Sequence, residues 1–225
     1  MEKRRSRLVV VLVVVVALGV LAVLAGPPLY SRWVESRNPD PITLTSAPDV
    51  PSGELDPSGS WTVAPGSEAG YRVEEVLRGE DTTVVGRSSD VSGTLEVADG
   101  QLTAATVTVQ TATIETGVGP RDNFLRDTLE SQTFPTATFE LGAPVAVPAL
   151  TGEPVAAEAT GRLTIRDVTR DVTVALQVQR TADGVRVSGT VPVTFTDFEI
   201  EAPSLGFVEV EDAGTIEMLL VLTRS

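Results

Sequence analysis

Reactive chemistry in this sequence falls to carboxylates, hydroxyls and arginines, because histidine and cysteine are absent and the single lysine is Lys3. Without imidazole or thiol there is no Ser-His-Asp or Cys-His nucleophile, no haem attachment, no disulfide and no ordinary zinc site. With its lysine in a basic tail, the folded part also lacks a Walker-type phosphate loop, a Schiff-base lysine and a Ser-Lys dyad. Glu209, Glu211 and Asp212 cluster beside a turn. Paired carboxylates can hydrolyse glycosides at the right separation. Among 31 acidic residues some pair reaches that distance by chance, so the cluster reads as a solvated face. No D-x-D-x-D-G spacing supports a calcium loop. Catalysis, a metal and a cofactor are therefore not expected. Lys+Arg 17 against Asp+Glu 31 gives a formal charge of -14, which would repel a phosphate backbone, so nucleic acid is not expected as a partner either.

The elements that must carry any function fall in four parts. The 225 residues, 42% hydrophobic, suffice for one sizeable β-domain with additions. Residues 1–7 read as a cytoplasmic tail with Lys3, Arg4, Arg5 and Arg7. Leu8 to Ala25 (8–25) is an uninterrupted apolar run of eighteen residues, about 27 Å as a helix, and reads as a transmembrane helix. The preceding cations hold the N-terminus inside and send the rest out. A cleaved signal peptide ending near Ala25 is the alternative, giving a secreted protein. Residues 26–57 hold seven of the 15 prolines and read as an extended linker that lifts the following domain off the bilayer. Tyr30 and Trp33 stand where aromatic side chains favour the membrane boundary. Beyond the tail, which contributes +3, the chain carries -17.

Residues 58–225 have the two-residue period of strands. Val172, Val174, Leu176 and Val178 alternate with Thr173, Ala175, Gln177 and Gln179. Ala182-Asp183-Gly184 supplies a turn, and Val185 to Phe195 continues the alternation, with a bend or bulge expected at Gly189. Ile216, Met218, Leu220 and Leu222 form one face of a last strand whose other face, with Leu219 and Val221, is also apolar. That strand should be central. Further strands are expected at Trp61, over Tyr71–Leu77, Thr83–Val97 with bends at Gly86 and Gly93, Gln101–Thr116, Thr136–Leu141 and Glu158–Arg166, about eight in all. One short helix is expected over Pro120–Glu130, with Phe124, Leu125, Thr128 and Leu129 on a shared face. The fold class is all-β, and periodicity alone leaves a closed barrel and a sandwich open.

Trp61, Val84-Val85-Gly86, Thr113-Ile114-Glu115-Thr116, Arg121-Asp122 with Leu125, Phe134-Pro135-Thr136-Ala137-Thr138-Phe139, Gly161-Arg162-Leu163-Thr164-Ile165 and Val168-Thr169-Arg170 follow one another at spacings that resemble the YceI-like polyisoprenoid-binding family over about 165 residues. The resemblance implies an eight-stranded antiparallel lipocalin-like barrel that binds or carries an isoprenoid-type lipid, a quinone or polyprenyl chain, in its lumen. The histidines common in the family's first strands are missing, as is the usual arginine near Phe195-Thr196-Asp197-Phe198, which leaves head-group contacts by those residues open.

On that basis the expected lumen residues are Val73, Val107, Phe124, Leu129, Phe134, Phe139, Leu163, Ile165, Val172, Val174, Leu176, Phe195, Ile216, Met218 and Leu220. Arg121, Asp122 and Arg170 are head-group candidates. Their structural alternatives are an Arg121 ion pair, an Asp122 that steadies the helix N-terminus and an Arg170 ion pair at a turn. An eight-stranded barrel can be filled by side chains or hold one ligand. The second functional class is accordingly a cell-envelope scaffold or adhesion domain with a filled core. Sixteen arginines against one lysine, with abundant Ala and Val, suggest GC-rich coding and a bacterial envelope setting.

Overall fold

The computed structural model describes residues 38–47, 50, 55–77, 79–204, 206 and 208–225. The expected tail, the apolar run Leu8–Ala25, and Tyr30 and Trp33 lie outside them. Among the described residues no helix is long and apolar enough to cross a membrane.

Among the described residues eleven strands form one antiparallel sheet: β1 (Gly59–Val63), β2 (Glu68–Leu77), β3 (Glu80–Ser88), β4 (Val91–Ala98), β5 (Gln101–Gln110), β6 (Thr136–Leu141), β7 (Val145–Ala146), β8 (Val155–Ile165), β9 (Val168–Arg180), β10 (Val185–Thr194) and β11 (Val208–Arg224). The order β1-β4-β5-β6-β8-β9-β10-β11 returns to β1 through Trp61↔Arg224 and Val63↔Leu222, so the sheet closes on itself. A closed eight-stave barrel, not a sandwich, is the architecture. β1 and β2 together form one bent stave, and so do β3 and β4. β11 is long enough to pair with β2 over Val208–Leu219 and with β1 over Leu222–Arg224. At the bend, Ser67 Oγ accepts from Val221 N (2.9 Å) and donates to Ala64 O (2.8 Å), so the backbone donor there keeps a partner.

β11 lies between β10 and β1–β2, as its two apolar faces predict. The helix α1 (Gly119–Thr128) falls where expected, starting one residue earlier and ending two sooner. Three expectations are corrected. The stave Thr83–Val97 breaks at Ser89-Asp90, where Asp90 N donates to Ser88 Oγ (2.9 Å), and not at Gly86 or Gly93, which stay in register. The strand from Gln101 ends at Gln110 because Thr111 N turns to Pro135 O (2.8 Å) and a 3-10 turn follows over Thr111–Thr113. Gly189 makes no bend, since β10 pairs in unbroken register through it.

Of the expected linker 26–57, residues 38–47, 50 and 55–57 are described. Residues 38–47 are extended but lie against the outside of the barrel. Arg72 Nη2 and Arg87 Nη2 donate to the carbonyls of Pro39 (3.0 Å) and Asp40 (2.6 Å). Both arginines also clasp Glu217, a residue on the outer face of β11 that is only 4% exposed (Arg72 Nε at 2.7 Å, Arg87 Nη2 at 3.1 Å). Further along, Gln179 Nε2 donates to Thr45 O and Gly152 O, both at 2.6 Å, and Ala47 N donates to Gly152 O at 2.9 Å. The strap buries polar groups of β2, β3, β9 and β11 and gives them partners, which stabilises it against a wall that would otherwise be solvated. Gln179→Leu, which takes the side-chain donor from both carbonyls and leaves Gly152 O only that of Ala47 N, is expected to lower stability by about 1–3 kcal/mol and to speed proteolysis within residues 38–47. Urea midpoints and limited proteolysis check this; an unchanged cleavage rate would contradict it.

Candidate ligand cavity

Alternation along β2 turns Ala69, Tyr71, Val73, Glu75 and Leu77 toward the interior. β10 does the same with Val185, Val187, Val191 and Val193, all buried, between exposed Arg186, Pro192 and Thr194. Two internal spaces stand out among the described residues. The upper one, under α1, is about 870 Å³. The lower one is about 110 Å³ with a wholly apolar wall that includes Trp61, Leu95, Val187 and Leu222.

Helix α1 roofs the upper space with the face the sequence predicts: Phe124, Leu125, Thr128 and Leu129 all line it. Phe124 is also 45% exposed, which puts it at the rim. The roof is tied down by Arg121, whose Nη2 meets Glu75 Oε1 at 2.6 Å across the cavity wall. Glu75 is only 3% exposed. Burial pushes its carboxyl above the ordinary value, and the Arg121 charge and hydrogen bond pull it back. Burial also pushes the Tyr71 phenol up to about 12, so it stays a neutral hydroxyl at physiological pH. Thr111, Thr128, Glu201 and Thr215 are the remaining polar residues on a wall otherwise made of apolar side chains and Gly70.

Of the residues expected in the lumen, Val73, Phe124, Leu129, Ile165, Phe195 and Ile216 line the upper cavity, together with Arg121. Val107, Phe139, Val174, Leu176, Met218 and Leu220 line the lower one. The Phe139 ring lies over Gly161, its diagonal neighbour on β8; a β-carbon there would lie 2.5 Å from the ring. Five candidates fall outside both. Leu163 and Val172 pack in the cluster between the cavities, and Phe134 stacks under the Arg166 guanidinium 6.0 Å from its ring centre. Asp122 is buried and accepts from Thr116 N (2.8 Å) and Thr116 Oγ1 (2.6 Å), so it fixes the helix N-terminus and is not free for a head group. Arg170 is exposed on the β8–β9 hairpin, donating to Thr169 O (3.0 Å). Glu75, Tyr71, Ile114, Val193 and Phe198 were not among the expected site residues. The alternation that selects Val73 also places Glu75 inside, so that signal was present.

A closed antiparallel barrel of eight staves with a roofed, mainly apolar internal cavity defines a lipocalin-like binding barrel. The YceI-like domain family model matches residues 61–222, and the chain belongs to that family. Among solved structures, the chain is similar to a polyisoprenoid binding domain from Saccharophagus degradans implicated in plant cell wall breakdown (18% identity, TM-score 0.57, covering 73% of this chain and 98% of that one). It is also similar to BcnA of Burkholderia cenocepacia (19% identity, TM-score 0.58, covering 72% of this chain and 99% of that one). At these identities the likeness concerns the fold. No curated protein matches the sequence.

Proposed function

We propose that this protein binds an isoprenoid-type lipid in the upper cavity and presents or carries it on the outer side of a bacterial cytoplasmic membrane, to which Leu8–Ala25 anchors it. The observation that carries the reading is the cavity itself. At about 870 Å³ it falls within the range of small-molecule sites, and a scaffold domain would have packed that space. The family membership and the printed description of the Saccharophagus degradans domain as polyisoprenoid binding support the same ligand class. Apolar burial supplies the driving force, about 25 cal/mol per Å², so a prenyl chain needs few polar contacts.

The head group we favour is uncharged, such as a quinone. Arg121 is already neutralised by Glu75, Glu201 adds negative charge to the wall, and Tyr71 offers a neutral hydroxyl. A phosphate would meet no unpaired cation on the described wall. Binding, not catalysis, is the proposed role. Titrating the full chain in nanodiscs with a prenylated benzoquinone is expected to raise its melting temperature, by an amount equivalent to about 2.7 kcal/mol at a hundredfold excess over Kd. No shift with any prenylated compound would overturn the proposal.

A further inference from the structure

Leu176, Gly189 and Met218 stand side by side on β9, β10 and β11, since Gly189 pairs with both neighbours. All three positions face inward. A β-carbon at 189 would overlap the Met218 methyl and lie 3.1 Å from Leu176 Cδ2, so it is the missing side chain that lets Met218 fold over Gly189 toward Leu176 at mid-height of the barrel. Toward the helix, Ile216 on β11 lines the upper cavity, and on β10 Val193 does so beyond Val191, which is buried and lines neither cavity. The next inward positions away from the helix, Leu220 and Val187, line the lower. Leu176 and Met218 are also the two side chains that pack against both hydrophobic clusters of the barrel. The lumen is therefore divided by a septum.

We propose that Met218, seated over Gly189, sets the length of isoprenoid chain the protein accepts. The inference rests on reading the upper cavity as the isoprenoid site. A chain short enough for the upper cavity binds without disturbing the septum. A longer one gains contact only by swinging Met218 aside and entering the lower cavity. Methionine suits that position: it is unbranched, has three rotatable bonds and fills irregular gaps without locking them. Trp61, in the wall of the lower cavity, reports on entry there.

The test uses the full chain in nanodiscs with Trp33→Phe, which leaves Trp61 as the sole tryptophan. The probes are prenyl alcohols of increasing length that carry a bromine on the terminal carbon, with binding read by melting temperature and tail position by Trp61 quenching. In the parent chain, affinity is expected to climb with each added unit and then flatten, and tails up to that break should leave Trp61 bright. In Met218→Ala the break should move to longer chains, which bind about tenfold tighter than to the parent and quench Trp61. Affinity that climbs without a break in the parent, or equal quenching in the two proteins, would overturn the septum while leaving isoprenoid binding intact. Absence of binding at every length would instead overturn the isoprenoid reading, and the septum's role with it. The parent series decides the matter even if Met218→Ala fails to fold.

Discussion

Ile216→Trp is expected to lower affinity for a prenylated benzoquinone at least about a hundredfold, some 2.7 kcal/mol, while the barrel still folds. Ile216 sits on the wall of the upper cavity, held by pairing with Tyr71 on one side and Val191 on the other. Its side chain faces open space. The added indole therefore enters the cavity instead of forcing neighbouring atoms apart, and the usual overpacking cost of about 1–3 kcal/mol should be reduced. The ligand loses the room that the ring takes. Melting temperatures with and without ligand check both halves: the variant should melt close to the parent when empty and show little or no ligand-induced shift. A variant that binds as the parent does would place the ligand elsewhere.

Arg121→Ala has the largest expected effect on stability. It leaves Glu75, 3% exposed, without the guanidinium 2.6 Å away, and breaking a buried pair from one side costs about 3–5 kcal/mol. The pH dependence follows from the direction of the Glu75 shift. Its folded value lies above the unfolded one because burial outweighs the Arg121 attraction. In that window the folded state binds more protons than the unfolded state, so the contribution of Glu75 to stability is fully present below the unfolded value of 4.5 and is lost as pH rises through the folded value. Removing Arg121 raises the folded value further and deepens the loss at neutral pH. The deficit of Arg121→Ala relative to the parent should therefore be greatest near pH 7 and shrink toward pH 4.5. Adding Glu75→Gln should recover much of it at pH 7. Urea midpoints across that range decide, and a deficit independent of pH would show that Arg121 acts through packing alone.

Much of this architecture can be read from period two. The rows Val172-Val174-Leu176-Val178 and Ile216-Met218-Leu220-Leu222 do face inward, and the apolar outer face of the last strand does mark it as central. The helix and its cavity-facing side were equally legible, because proline at its start and four side chains on one face require no tertiary knowledge. Registers and voids were not. Whether Leu163 lines a space or fills a septum depends on what meets it across the barrel, and alternation along a strand is silent on that. The three glycines expected to bend strands lie in regular register, and at each a neighbour occupies the place of a β-carbon: the Tyr71 ring at Gly86, the Thr106 carbonyl at Gly93 and Met218 at Gly189. Glu75 shows a different failure. Its inward position follows from the same rule as Val73, but a carboxylate on an interior row is discounted until its partner, 46 residues away on another element, is visible. The strap over residues 38–47 belongs to the same class, since Gln179 and Glu217 look like solvated positions until the segment that covers them is in place.

The central claim, a barrel that holds an isoprenoid lipid, is tested most directly by purifying the full chain in mild detergent and weighing it. Mass spectrometry of the intact complex and of its organic extract should show one isoprenoid-type lipid per chain, and that mass should disappear in Ile216→Trp. A folded chain that carries no lipid, and whose melting temperature stays unchanged on exposure to quinones and polyprenyl lipids, would contradict the claim and make the upper cavity a space without a ligand.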